Sequence, residues 1–154
     1  FTRHDGVSAR DMCTAGSEIL PDASSGVFSA AVADFSPVPY GAEKFKKTSV
    51  AGDLSIRLSQ NPDILRTLAA DKKAHQKVVG FAAETSNLEN LALRKLADKN
   101  ADLIIGNTVN ELNSGFGSGA NTGFVADRNG MRAHWEPMGK ADMAWRIFDW
   151  LLRL

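Results

Sequence analysis

Short apolar runs alternate with stretches of helical periodicity along most of the chain. Ala9 to Ile19 follows Ser8 and carries Asp11 in its first turn, which predicts a capped helix that Pro21 and Asp22 end. Gly26 to Val32 is small and apolar on both faces and predicts a buried strand leading to the carboxylate of Asp34. Ser36 to Gly52 gathers Pro37, Pro39, Gly41, Gly52 and a lysine cluster, and reads as a long mobile loop. Leu54 to Leu58 alternates apolar and polar residues, as a strand with one wet face does. Asn61-Pro62-Asp63-Ile64 predicts a helix start, with Asn61 at the cap and Pro62 in the first turn.

Lys77 to Ala82 predicts a buried strand with Gly80 at its centre. Ser86 or Asn87 starts a helix that runs to about Asn100, and Asp102 to Ile105 is a further short strand. Thr122–Ala126 and Met131–Trp135 flank Asp127-Arg128-Asn129-Gly130, the pattern of an antiparallel hairpin closed by Asn-Gly. Ala141 to Leu152 predicts a final amphipathic helix with Ala141, Ala144, Trp145, Phe148 and Leu152 on its apolar face. Strands alternating with helices predict an α/β sheet with crossovers, with the hairpin appended.

The helix after Asn87 carries the sharpest chemical clue. At about 100° per residue, Leu88, Leu91, Ala92 and Leu96 form its inward stripe, and Lys95 and Lys99 fall inside that stripe one turn apart. A charge on an apolar face needs a partner. The pair is either two snorkelling lysines near a helix C-terminus or two ammonium groups aimed at ligand phosphates. Phe81 and Glu84 end the preceding strand, where ligands of open α/β sheets sit. Phe81 is a core side chain or a wall for a flat base; Glu84 is polar punctuation or a metal ligand. Lys44, Lys46 and Lys47 are a solvated charge run or a flap over an anion, and Asp34 could meet a sugar hydroxyl or Mg²⁺. Gly115-Phe116-Gly117-Ser118-Gly119 lacks the Lys-Ser/Thr ending of a phosphate loop and precedes a hairpin. The three histidines form no zinc pattern, and no Gly-x-Ser-x-Gly elbow supports a Ser/His/Asp triad.

Composition narrows the classes. Eighteen basic and eighteen acidic residues cancel, so any anion site is local, and nothing global argues for nucleic acid or a membrane surface. The length of 154 residues fits one domain with a real core. Cys13 is the only cysteine, which rules out an internal disulfide and fits a reducing compartment.

Seven segments, in order, resemble the bacterial phosphopantothenoylcysteine synthetase (phosphopantothenate–cysteine ligase) family. They are Ala30-Ala-Val-Ala-Asp-Phe, Glu43-Lys-Phe-Lys-Lys, Asn61-Pro-Asp-Ile-Leu, Val79-Gly-Phe-Ala-Ala-Glu-Thr, Arg94-Lys-Leu with Lys99, Asp102-Leu-Ile-Ile-Gly-Asn and Gly115-Phe-Gly-Ser. The chain departs from the family pattern at Ser36, Thr108 and Gly119, where the family usually has Arg, Asp and Asp. The resemblance implies a Rossmann-like, mostly parallel sheet and the C-terminal part of the ligase domain of a bifunctional coenzyme A biosynthesis protein. It implies that an N-terminal glycine-rich portion of the fold is missing, consistent with a chain that opens on Phe1, and that this piece alone binds nucleotide poorly or is inactive.

The implied reaction has two steps. The carboxylate of 4′-phosphopantothenate attacks the α-phosphate of CTP, giving an acyl-cytidylate and pyrophosphate; the cysteine amine then displaces CMP. Carried onto this chain, Lys44 is the flap lysine acting on the reacting phosphate. Asp34 meets the nucleotide or its Mg²⁺. Asn61, Pro62, Asp63, Ile64 and Phe81 hold the cytosine, Lys95 and Lys99 the phosphates, and Ala30 and Ala31 the other substrate. The resemblance also implies a cytoplasmic homodimer with active sites near the subunit interface. The alternatives are a non-catalytic nucleotide-fold module for binding or dimerisation, and an ATP-using relative.

Overall fold

The structure is a computed structural model that describes residues 2–39, 54–108 and 120–154. Ser8 opens the first helix, α1 (Ala9–Ile19), as expected: its Oγ accepts from the Asp11 N–H at 3.2 Å while Asp11 Oδ2 accepts from the Ser8 N–H at 2.9 Å. A short 3₁₀ turn (Leu20–Asp22) leads into β1 (Ser25–Phe28). Then come β2 (Phe35–Pro37), β3 (Leu58–Gln60), α2 (Ile64–Ala70), β4 (Lys77–Glu84), α3 (Leu88–Asp98) and β5 (Leu103–Thr108). The chain closes with β6 (Ala120–Asp127), β7 (Arg132–Gly139) and α4 (Lys140–Leu151).

The main sheet has the order β1-β4-β5-β6-β7. β1, β4 and β5 run parallel, while β6 and β7 are antiparallel additions, so the sheet is mixed. Its core has two layers. Ala82, Ile104 and Phe124 meet Ala92 and Leu96 of α3, and Val78 meets Leu65 and Ala69 of α2. On the opposite face, Val79, Leu103, Ile105 and Val125 meet Met143 and Ile147 of α4. Glycine sits where helices lean on the strands: a Cβ at Gly80 would come within 2.6 Å of Leu65 Cδ2, and one at Gly106 within 3.0 Å of Leu88 Cδ1.

Several expectations change. The buried strand expected over residues 26–32 stops at Phe28, and Ala30, Ala31 and Asp34 lie exposed in irregular chain. Among the described residues β1 pairs with β4 only, and Val27 is 44% exposed. The expected loop over residues 36–52 begins inside β2, which pairs antiparallel with β3 to form a separate two-stranded ribbon; residues 40–53 lie outside the described ones. The strand expected over residues 54–58 is displaced to Leu58–Gln60, with Leu54 and Ile56 exposed. Asp63, not Asn61, caps α2 through its bond from the Arg66 N–H. Asn87 does begin α3, but in the left-handed region at φ 53°, and its side chain accepts from Asn90 instead of capping. In the hairpin only Gly130 takes positive φ, at 89°; its N–H bonds Asp127 O and the Asp127 N–H bonds Met131 O, so a three-residue loop, Arg128 to Gly130, replaces a two-residue one. In α4 the inward residues are Met143 and Ile147; Trp145 is 71% and Leu152 86% exposed. Among the described residues no helix is long and apolar enough to cross a membrane.

One buried charge ties the amino ends of the strands together. Asp102, fully buried, accepts from Lys72 Nζ at 2.6 Å, Arg128 Nη1 at 2.7 Å and the Val78 N–H at 2.8 Å. Removing one partner of such a group leaves an uncompensated charge. Asp102→Asn is therefore expected to lower unfolding stability by about 3–5 kcal/mol in urea titrations.

Candidate functional site

The end of β1 and the second half of β4 lie beside the start of α2: Phe28 pairs with Gly80, and Gly80 lies against Leu65. Here the fold gathers residues from distant parts of the sequence. α3 starts beyond β4 and runs back along it. Helical side chains lean towards the helix N-terminus, so Lys95 and Lys99 on its inner face reach back towards this end. Both are half-buried, as the helical projection predicts. Lys95 Nζ donates to the Phe81 carbonyl at 2.6 Å. Lys99 forms an ion pair with Asp63.

The electrostatics follow from this packing. Burial pulls the Lys95 pKa below the ordinary lysine range, Glu84 pushes against that shift, and Lys99 adds to it; Asp63 and Asp34 also sit close enough to oppose it. Partial burial would raise the Asp63 carboxyl, but the hydrogen bond from Lys99, the Arg66 amide and both positive charges outweigh it and hold it below the usual range. Asp34, Asp63, Glu84, Lys95 and Lys99 thus form one electrostatic neighbourhood with two cations beside three carboxylates.

The other expected site residues divide. Asn61 sits half-buried at the turn, bonded to Ala33, Asp34 and Ser36. Pro62 lies in the same turn, half-buried. Ile64 points into the core with Leu20 and Leu68, so only its backbone is near the turn's surface. Phe81 is half-buried with its ring in the α4-side core, on the face of the sheet opposite α2 and α3, so the expected base wall beside the lysines is reduced to its backbone carbonyl. Ala30 and Ala31 lie exposed beyond β1. Lys44, Lys46, Lys47 and residues 115–119 fall outside the described residues. One group escaped the sequence reading. Asn107 Oδ1, near the end of β5, is buried and has no hydrogen-bond partner among the described residues. The only signal for it was that the family pattern continues through Asn107.

Open α/β sheets bind their ligands beyond the carboxyl ends of the parallel strands, and the two lysines lie on that side of this sheet. The model of the DNA/pantothenate metabolism flavoprotein C-terminal domain matches residues 1–154, and the chain belongs to that family. It is 37% identical to the coenzyme A biosynthesis bifunctional protein CoaBC of Bacillus subtilis (strain 168) over 142 residues, covering 92% of this chain and 34% of that protein. It is 42% identical to the protein of that name from Escherichia coli (strain K12) over 108 residues, covering 70% of this chain and 25% of that protein. The crystal structure of the C-terminal domain of CoaBC superposes with a TM-score of 0.74 at 29% identity, covering 97% of this chain and 64% of that one. The chain spans a quarter to a third of the length of these two relatives.

The two shifted groups predict opposite pH effects. The folded pKa of Lys95 lies below its unfolded value near 10.4. Between the two values the unfolded chain binds more protons, so stability rises with pH across that window. Asp63 is lowered instead, so its contribution is present above about pH 3.9 and is lost as pH falls through the folded value. Urea midpoints measured against pH should show a flatter alkaline rise in Lys95→Met and a flatter acid fall in Asp63→Asn.

Proposed function

We propose that the chain is the C-terminal portion of a cytoplasmic phosphopantothenate–cysteine ligase domain that uses CTP. The observation that carries this reading is the pair Lys95 and Lys99. Two half-buried ammonium groups beside the second half of β4, Lys95 on the Phe81 carbonyl and Lys99 on Asp63, cost desolvation and suit a polyphosphate. Family membership and the CoaBC relatives support the same assignment.

In this reading Lys95 and Lys99 hold the nucleotide phosphates. The backbone of the turn from Asn61 to Ile64 borders the cytosine, Phe81 contributes through its backbone beside Lys95, and Ala30 and Ala31 border the second substrate. Lys44 stabilises the charge that develops as the phosphopantothenate carboxylate displaces pyrophosphate. The cysteine amine then displaces CMP. Mg²⁺ enters with the triphosphate. Among the described residues no cluster of three or more His, Cys, Asp or Glu would hold a metal unaided, and the exposed Asp34 fits an ion that keeps most of its water and phosphate ligands.

The assembly is a homodimer formed through the β2–β3 ribbon. A two-stranded ribbon is marginal by itself. On this one Phe35 and Leu58 are 55% and 57% exposed on the same face, next to exposed Leu54 and Ile56. An apolar face of this kind suits a second copy of itself.

Full-length protein supplied with phosphopantothenate and CTP should release pyrophosphate, faster than with ATP, and Lys44→Gln should abolish release while leaving the unfolding midpoint unchanged. No release with any nucleotide would sink the ligase reading in favour of a non-catalytic module. In sedimentation velocity, wild type should run as a dimer and Phe35→Lys/Leu58→Lys as a monomer; a monomeric wild type removes the ribbon interface.

A further inference from the structure

Among the described residues no strand pairs with Ser29 to Asp34, yet Asp34 is near enough to bear on the charge of Lys95. Something outside the main sheet must fix it. Asn61 is that anchor. Its backbone N–H donates to Asp34 O at 2.8 Å, its Nδ2 donates to Ala33 O at 2.8 Å, and its Oδ1 accepts from Ser36 Oγ at 2.9 Å. One residue thus holds the chain on both sides of Asp34.

Two positions later Asp63 does the equivalent for the opposite wall. Its Oδ1 accepts from the Arg66 N–H at 3.1 Å and its Oδ2 pairs with Lys99. Pro62 separates the two with a fixed φ, so the anchors keep a set spacing. We propose that the Asn61–Pro62–Asp63 turn is a positioning bracket. Asn61 sets where Asp34 stands, Asp63 sets where the Lys99 ammonium stands, and neither side chain is itself a nucleotide ligand. The inference rests on the ligase reading and moves these two side chains from base contact to support.

The bracket makes a prediction that direct binding does not. If Asn61 acts through Asp34, its removal should matter only while Asp34 is present. Pyrophosphate release at low CTP should fall about tenfold in Asn61→Ala, but by less than about twofold when the same change is made in Asp34→Ala. Asp63→Asn should couple to Lys99→Gln in the same way. Additive losses in both cycles would overturn the bracket, because a group that binds nucleotide itself, or merely stabilises the fold, acts whether or not its neighbour is there.

Amide hydrogen exchange supplies a readout independent of activity. Asn61→Ala should speed exchange across residues 34 to 38 by about tenfold or more while the amides of β4 and β5 keep wild-type rates. Unchanged exchange at residues 34 to 38, or faster exchange everywhere, overturns the proposal. A wild type that releases no pyrophosphate with any nucleotide defeats the ligase reading instead and leaves the exchange result to judge the bracket.

Discussion

Two ammonium groups on the inner face of α3 must find partners before that helix can close on the sheet. This constraint organises the carboxyl end of the molecule. Leaving a buried ammonium unpaired costs far more than burying any one apolar side chain of the helix returns. Lys95 resolves the conflict on the Phe81 carbonyl, and Lys99 on Asp63. Because Asp63 also caps α2, the pairing ties the start of α2 to the last turn of α3. Ala82, Gly106 and Ala92 let α3 come close enough for both lysines to reach.

The amino ends of the strands show the contrasting solution. There the central charge is an anion, and it is saturated: Asp102 accepts from two cations and a backbone amide. A group so fully engaged has little to offer a ligand. On the opposite side each lysine has one close partner among the described residues and remains partly exposed. The same sheet thus carries a finished ionic cluster at one end and an unfinished one at the other. That asymmetry distinguishes a structural cluster from a candidate site better than the number of charges does.

The elements most legible in the sequence were those whose signals are local. Ser8 with Asp11, the strand around Gly80 and the Asp127–Gly130 turn each carry their own instructions, and all form where expected. The lysine stripe on α3 was legible because helical spacing alone sets which side chains share a face. Residues 29–34 were not, because small apolar side chains permit a buried strand but a strand exists only where a ladder partner does, and β4 pairs only as far as Phe28. α4 was misread because it has two apolar stripes. The face with Trp145 and Phe148 competes with the one holding Met143, Ile147 and Trp150, and tertiary contacts choose between them. Trp150 Nε1 donates to Asp127 Oδ2 at 2.8 Å, and its ring meets Trp135 edge-on at 6.1 Å. Neither contact is encoded within the helix itself.

The β2–β3 ribbon joins these themes. Among the described residues it pairs with no other strand, and its own ladder and Asn61 at its base hold it. Its inner pair, Ser36 and Ser59, is half-buried and turns towards the site, while Phe35 and Leu58 turn outwards. Strand alternation makes these two faces inseparable: a shift by one residue would expose the serines and withdraw the apolar pair. A contact made on the outer face therefore bears on the position of Asp34 through the same few residues. One small ribbon thus carries both an exposed apolar face and the bonds from Asn61 that hold the chain around Asp34.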